Sequence, residues 1–184
     1  MIADLLMEAA LPETARPGSP RIVEEPLPTR GELDFRLIEL FFFAYREFTA
    51  DADSILERYG FGRAHHRILH FVNRAPGMPV ADLLELLQIT KQSLSRVLRQ
   101  LIDEEFVVQV QGSDDRRQRR LYPTEKGRTL TLELSRAQVR RIDAAFREAA
   151  LDDPGRVNDF LLEMSNDRKA TRDWFTRQGI RKER

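Results

Sequence analysis

Between residues 80 and 124 the apolar side chains change their spacing in an order that few folds share. Val80, Leu83, Leu84, Leu86 and Leu87 recur at helical intervals, and after a short break Leu94, Val97, Leu98, Leu101 and Ile102 do so again. A β-branched run follows, from Phe106 through Val107, Val108 and Val110 to Gln111, and residues 119–123 read as its return strand. The intervening turn at 112–118 carries Asp114 and Asp115, and four arginines follow them within five positions: Arg116, Arg117, Arg119 and Arg120.

Helix, turn, helix and basic hairpin, in that order, are the layout of a winged helix-turn-helix. In that arrangement one helix enters the DNA major groove and the wing reaches the adjacent minor groove. The expected fold class is therefore mainly α, with a small β element, and long flanking helices forming a dimerisation lobe. A DNA-binding regulator is the function to which this order points.

The chain of 184 residues is long enough for one domain with a hydrophobic core, and 41% hydrophobic with 33% charged residues suits a soluble globular protein. Thirty basic and thirty acidic residues cancel, so attraction to phosphate has to come from local clustering. Residues 116–128 supply it, with Arg116, Arg117, Arg119, Arg120, Lys126 and Arg128 against Glu125. The absence of cysteine excludes disulfides, thiolate metal sites and a cysteine nucleophile. The first residues lack the basic start and apolar run of a signal peptide, and no stretch approaches the ~20 apolar residues that span a bilayer. A cytoplasmic protein without membrane association is expected.

Five of the nine prolines fall within residues 1–30, which read as a flexible arm; Ile2, Leu5, Leu6 and Ala9 could form a short amphipathic turn within it. Residues 31–60 then hold one long dimerisation helix, with Leu33, Leu37, Leu40, Ala44, Phe48, Ala52 and Leu56 spaced by three and four and Gly60 as its stop. Successive helix residues are set about 100° apart, so Phe41, Phe42 and Phe43 cannot all face one side. A belt that wide needs cover on two sides, and a second copy of the chain is the simplest cover.

Residues 63–73 predict a second helix, closed by Pro76 and Gly77. Pro79 suits the first turn of a short third helix, and Thr90 suits the N-cap of a fourth that runs to about residue 105. The DNA-binding lobe is thus expected over 61–124. Beyond the hairpin, residues 124–150 predict a long helix, 152–155 a sharp turn, and a last helix carries Val157, Phe160, Leu161, Met164, Trp174 and Phe175. These C-terminal helices, 125–176, are expected in the dimerisation lobe, with 177–184 as a basic tail.

In the fourth helix one face is apolar and the other carries Gln92, Ser95, Arg96 and Arg99, with Thr90, Lys91 and Ser93 at its start. Glutamine and arginine make paired hydrogen bonds to purine edges, and small hydroxyls at a helix N-terminus suit close approach to phosphate. Taken alone, such a face is equally a solvated one. The hairpin favours DNA, because a solubilising turn mixes its charges whereas this one gathers arginines, which a narrow minor groove attracts. Asp115 beside them would orient a guanidinium, while Arg116, Arg119 and Lys91 would hold phosphate.

The run ITKQSLSRVL at 89–98, the wing sequence DRRQRRLY at 115–122 and TEKG at 124–127 together resemble the multiple antibiotic resistance regulator (MarR) family of prokaryotic transcription factors. The resemblance extends over about residues 31–175. It implies a homodimer built from the first and last two helices, bound to double-stranded DNA at a pseudo-palindromic operator, most often as a repressor released by a small-molecule effector. It also implies that the family's wing aspartate falls on Asp115 and its wing-tip arginine, the minor-groove reader, on Arg117. An earlier aspartate and arginine of the fuller family wing fall on Gly112 and Asp114, which alters the set of minor-groove contacts and not the fold.

His65, His66 and His70 are the chain's three histidines, and His66 and His70 have the i, i+4 spacing of two ligands on one helix. With no cysteine and no acid on that helix, neither a metal nor another cofactor is expected. An effector pocket between the dimerisation helices and the DNA-binding lobe would draw on Phe42, Tyr45, Arg46, His65, His66 and His70, unless these are ordinary packing residues. No phosphate loop, nucleophile elbow or HExxH motif supports an enzyme. The competing reading is a winged-helix module used for architectural DNA binding or protein contact without a single operator.

Overall fold

The structure is a computed structural model that describes residues 23–26, 35–112, 118–165 and 168–180. The chain divides into two units, 1–40 and 41–184. Among its described residues the first unit holds an exposed stretch at 23–26 and the opening residues of helix α1, Phe35–Glu57, along which Leu37, Ile38 and Leu40 are exposed. The expected arm and the first residues of the expected long helix otherwise lie outside the described residues.

The second unit continues α1 and adds α2 (Arg63–Arg74), β1 (Met78–Pro79), α3 (Val80–Leu87), α4 (Lys91–Asp103), β2 (Val107–Gln111), β3 (Arg119–Pro123), α5 (Glu125–Glu148), α6 (Pro154–Ser165) and α7 (Lys169–Arg177). The predicted helix-turn-helix and hairpin are present. The antiparallel sheet runs in the order β1-β3-β2, with Val107 opposite Pro123, Gln109 opposite Leu121 and Met78 also opposite Leu121. Its core comes from the apolar faces of α2, α3, α4 and α5, where Ile68, Leu69, Leu83, Leu101 and Leu134 are fully buried with Val107 and Leu121 of the ribbon.

Local chemistry sets the element ends. Thr90 caps α4 by accepting the Ser93 N–H at 3.1 Å, and Thr124 caps α5 by accepting the Gly127 N–H at 3.0 Å. Three sequence expectations need correction. Pro79 does not open α3: it is extended, with φ −65° and ψ 147°, and it ends a two-residue strand too short to show a period. Pro154 and Gly155 are not a turn but the start of α6. The Asp153 carboxylate accepts the Gly155 N–H at 2.8 Å, and a proline at the first helical position gives up an N–H that would be unpaired anyway. The single last helix is two, α6 and α7, because Arg168 is extended at φ −94° and ψ 137°.

Fastenings between helices are few and specific. Arg141 grips Asp51 with Nε at 2.9 Å and Nη2 at 3.1 Å, joining α5 to α1, and holds the Asp51 carboxyl below its ordinary range. Asn73 of α2 donates to Thr131 Oγ1 of α5 at 2.8 Å. A close approach occurs at Gly127, where an added Cβ would lie 2.0 Å from the Phe106 carbonyl oxygen. Only a residue without a side chain lets the first turn of α5 reach the strand entry. Gly127→Ala is therefore expected to destabilise the protein by about 1–3 kcal/mol, the usual range for overpacking, as a lowered midpoint in urea unfolding. An unchanged midpoint would show that the strand entry can yield.

Candidate nucleic-acid interface and a cavity beside it

Helix α4 presents two chemically opposite faces. Leu94, Val97, Leu98 and Leu101 are buried, whereas Lys91, Gln92, Ser93, Ser95, Arg96 and Arg99 are exposed. Among the described residues, none of the side chains of Lys91, Gln92, Ser95, Arg96 and Arg99 has a hydrogen-bond or ion-pair partner within the chain. Thr90 and Ser93 are different, since their hydroxyls bond each other at 2.9 Å as part of the cap. The donors along this face are thus uncommitted and are carried on a rigid helix, so an outside acceptor would order only their side chains.

The wing places Arg119 on β3, opposite Gln111 and exposed. Asp115, Arg116 and Arg117 lie outside the described residues, so their expected contacts stay expectations. Two members of the basic cluster are employed internally. Lys126 Nζ donates to the Glu104 carbonyl at 2.8 Å and sits 4.2 Å from the centre of the Phe106 ring, which uses its charge to close the end of α4. Arg120 reaches back to the Gly77 carbonyl at 3.4 Å.

The three histidines separate by role. His65 accepts the Gly62 N–H at Nδ1 (3.1 Å), which assigns its proton to Nε2, and Nε2 donates to Gln100 Oε1 of α4 at 2.9 Å. Its ring stacks on Phe61 with centroids 4.5 Å apart. His65 thus ties α2 to α4. His66 and His70 instead turn into a cavity of about 260 Å³ between α1, α2 and α5, lined also by Tyr45, Phe48, Thr49, Arg63, Arg67, Phe71 and Gln138. Of the sequence candidates, Tyr45, His66 and His70 line it, while Phe42, Arg46 and His65 do not. Arg63 and Arg67 were missed, although Arg63, His66, Arg67 and His70 follow the i, i+3, i+4, i+7 rhythm of one helix face.

Among the described residues no carboxylate lines this cavity, and its two guanidinium groups differ. Arg63 Nε is paired with Asp53 Oδ2 at 2.9 Å, whereas Arg67 Nη2 donates to the Leu87 carbonyl at 2.9 Å and has no carboxylate partner among the described residues. Burial lowers the pKa of both His66 and His70, helped at His66 by the charge of His70 and at His70 by that of Arg74. Both rings are consequently held neutral near pH 7. Among the described residues no group of three His, Asp or Glu side chains stands ready to hold a metal, and no helix is long and apolar enough to cross a membrane.

Comparison with known proteins adds three findings. A family model described as MarR family matches residues 59–118. The HTH-type transcriptional regulator PetP of Rhodobacter capsulatus is 55% identical over 112 residues, covering 61% of this chain and 68% of that one. Two solved structures share the fold. One is the transcriptional regulator SlyA, with TM-score 0.62 and 17% identity over 76% of this chain and 96% of that one. The other is a MarR protein from Peptoclostridium difficile, with TM-score 0.63 and 20% identity over 86% and 97%.

The depressed histidine pKa values carry a definite sign. The unfolded chain binds protons at His66 and His70 near the ordinary value of about 6.5, while the folded chain resists them, so stability is intact above that value and falls as pH drops below it. Thermal midpoints measured from pH 7.5 to 5 should decline, and the double variant His66→Gln, His70→Gln should flatten that decline. Parallel slopes for the two proteins would contradict the burial of these rings.

Proposed function

Since the chain belongs to the MarR family of winged helix-turn-helix transcriptional regulators, we propose that it is a homodimeric repressor that occupies a pseudo-palindromic operator until a small molecule releases it. The observation that carries the DNA reading is the set of uncommitted donors on the outer face of α4. In this reading Gln92, Ser95, Arg96 and Arg99 contact bases or nearby phosphates, and Lys91 and Arg119 hold phosphate, with Thr90 and Ser93 shaping the helix start beside the backbone. Arg117 enters the minor groove, Arg116 holds phosphate beside it, and Asp115 orients their guanidinium groups. A regulator of transcription acts where the DNA is, which places it in the cytoplasm.

The dimer reading rests on apolar surface. Helix α6 has no buried residue, and its Phe160, Leu161 and Met164 are exposed along with Phe42 and Phe43 of α1. Phe41 meets Phe160 with ring centroids 6.0 Å apart, so these exposed groups lie close together. Covering one such side chain contributes about 1.5–3 kcal/mol, and two protomers double the number covered. Since each is about half exposed, the total is of the same order as the roughly 4–15 kcal/mol cost of association. The 260 Å³ cavity lies just below the roughly 300–1,000 Å³ of drug-sized pockets, which suits an effector of about one ring.

Two variants separate DNA contact from assembly. Arg96→Ala with Arg99→Ala is expected to stay dimeric and to lose at least about a hundredfold in affinity for DNA from upstream of its own gene, at roughly 1–3 kcal/mol per base contact. Equal binding by variant and wild type would remove α4 from the interface. Phe160→Glu should sediment as a monomer at micromolar concentration; a persistent dimer would place the contact between protomers elsewhere.

A further inference from the structure

We propose that His65 is a specificity-determining positioning residue: it touches no DNA, and through Gln100 it holds α4 at the one rotation that aims its outer face at the bases. This deepens the DNA reading above and rests on it. The sequence singles out His65 as a candidate for the effector pocket, yet its ring does not line the cavity and bonds to α4 instead.

Apolar burial alone leaves a helix some freedom to turn. The contacts of Leu94, Val97, Leu98 and Leu101 are non-directional, whereas a hydrogen bond weakens steeply as its angle opens. A turn of about 20° would swing a side chain at a radius of about 5–6 Å by about 2 Å. That shift takes a donor out of hydrogen-bond range of a base edge, while a phosphate attracts its charge almost as before. Rotation is thus the motion that costs sequence preference and spares affinity for DNA in general.

The link that opposes this rotation is committed at every group. His65 Nε2 donates to Gln100 Oε1 at 2.9 Å, and the nitrogen of the same amide donates to Glu104 Oε1 at 3.0 Å. The imidazole is held as well, because Nδ1 accepts the Gly62 N–H at 3.1 Å and the ring lies on Phe61 at an interplanar angle of 4°. Phe61 in turn meets Phe106 edge-on at 5.0 Å, and Phe106 is the buried residue immediately before β2. A fixed ring therefore stands between α4 and the base of the wing. Gln100 follows Arg99 directly and lies one turn beyond Arg96, so the grip on α4 falls beside two of its outer-face arginines. The helix and the wing, which enter adjacent grooves in this reading, are thereby held to the same ring.

The test uses the full-length protein and two duplexes of equal length, the sequence that the wild-type protein enriches from a random library and a scrambled version of it. His65→Phe keeps a ring on Phe61 and removes both hydrogen bonds, and Gln100→Leu breaks the shared bond from the other side. Each variant should lose about tenfold or more in affinity for the enriched duplex, the equivalent of about one base contact, while binding the scrambled duplex as wild type does. The double variant should be no worse than either single one, because both break the same bond. Equal weakening on both duplexes would make His65 a support of the fold alone, and an undiminished preference would leave α4 fixed without it; either result overturns the proposal. Losses that multiply in the double variant would overturn the link through Gln100. Should His65→Phe not fold, Gln100→Leu carries the comparison, since Gln100 is only half-buried. A wild-type protein that enriches no sequence would instead overturn the base reading by α4 on which the proposal rests.

Discussion

The outer face of α4 is useful only because the inner face is immobile. Leu94, Val97, Leu98 and Leu101 are buried in the core shared with α2, α3 and α5, and each would cost about 1.5–3 kcal/mol to expose. That burial fixes the rotation of the helix about its axis, and hence which side chains point outward. The Thr90 cap fixes where it begins, and His65 holds its far half through Gln100. In the proposed reading α4 recognises bases, which depends on geometry within a fraction of an ångström, so a helix that slid or turned would keep its charge and lose its specificity.

Much of this was legible in the primary structure because it rests on period and on short-range chemistry. The apolar spacing of α4, its Thr90 cap and the alternation into β2 and β3 are local signals, and the structure places them within a residue or two of expectation. Elements defined by tertiary contact were not legible. β1 is two residues long and exists because β3 pairs with it, and the break between α6 and α7 falls where no proline or glycine interrupts the pattern. Gly127 stood within the run that suggested the family, but its physical necessity, the approach to Phe106, depends on a neighbour some twenty residues away.

The cavity shows the same division. Tyr45, His66 and His70 stand out in a sequence as aromatic and titratable residues. Arg63 and Arg67, among thirty basic residues, look like ordinary surface charge until α1, α2 and α5 are brought together. Helix α2 touches both the cavity and the helix-turn-helix. One face of it lines the cavity, and its side chains reach the end of α3 through Arg67 and the far half of α4 through His65.

In vitro selection from a random duplex library, followed by footprinting of the enriched sequence, tests the central claim most directly. The account predicts one enriched pseudo-palindrome with two half-sites separated by about one helical turn, each protected in the major groove with flanking minor-groove protection from the wings. Uniform retention of the library, with binding that only falls steeply as salt rises, would contradict it, because affinity would then come from phosphate alone and the face of α4 would read nothing.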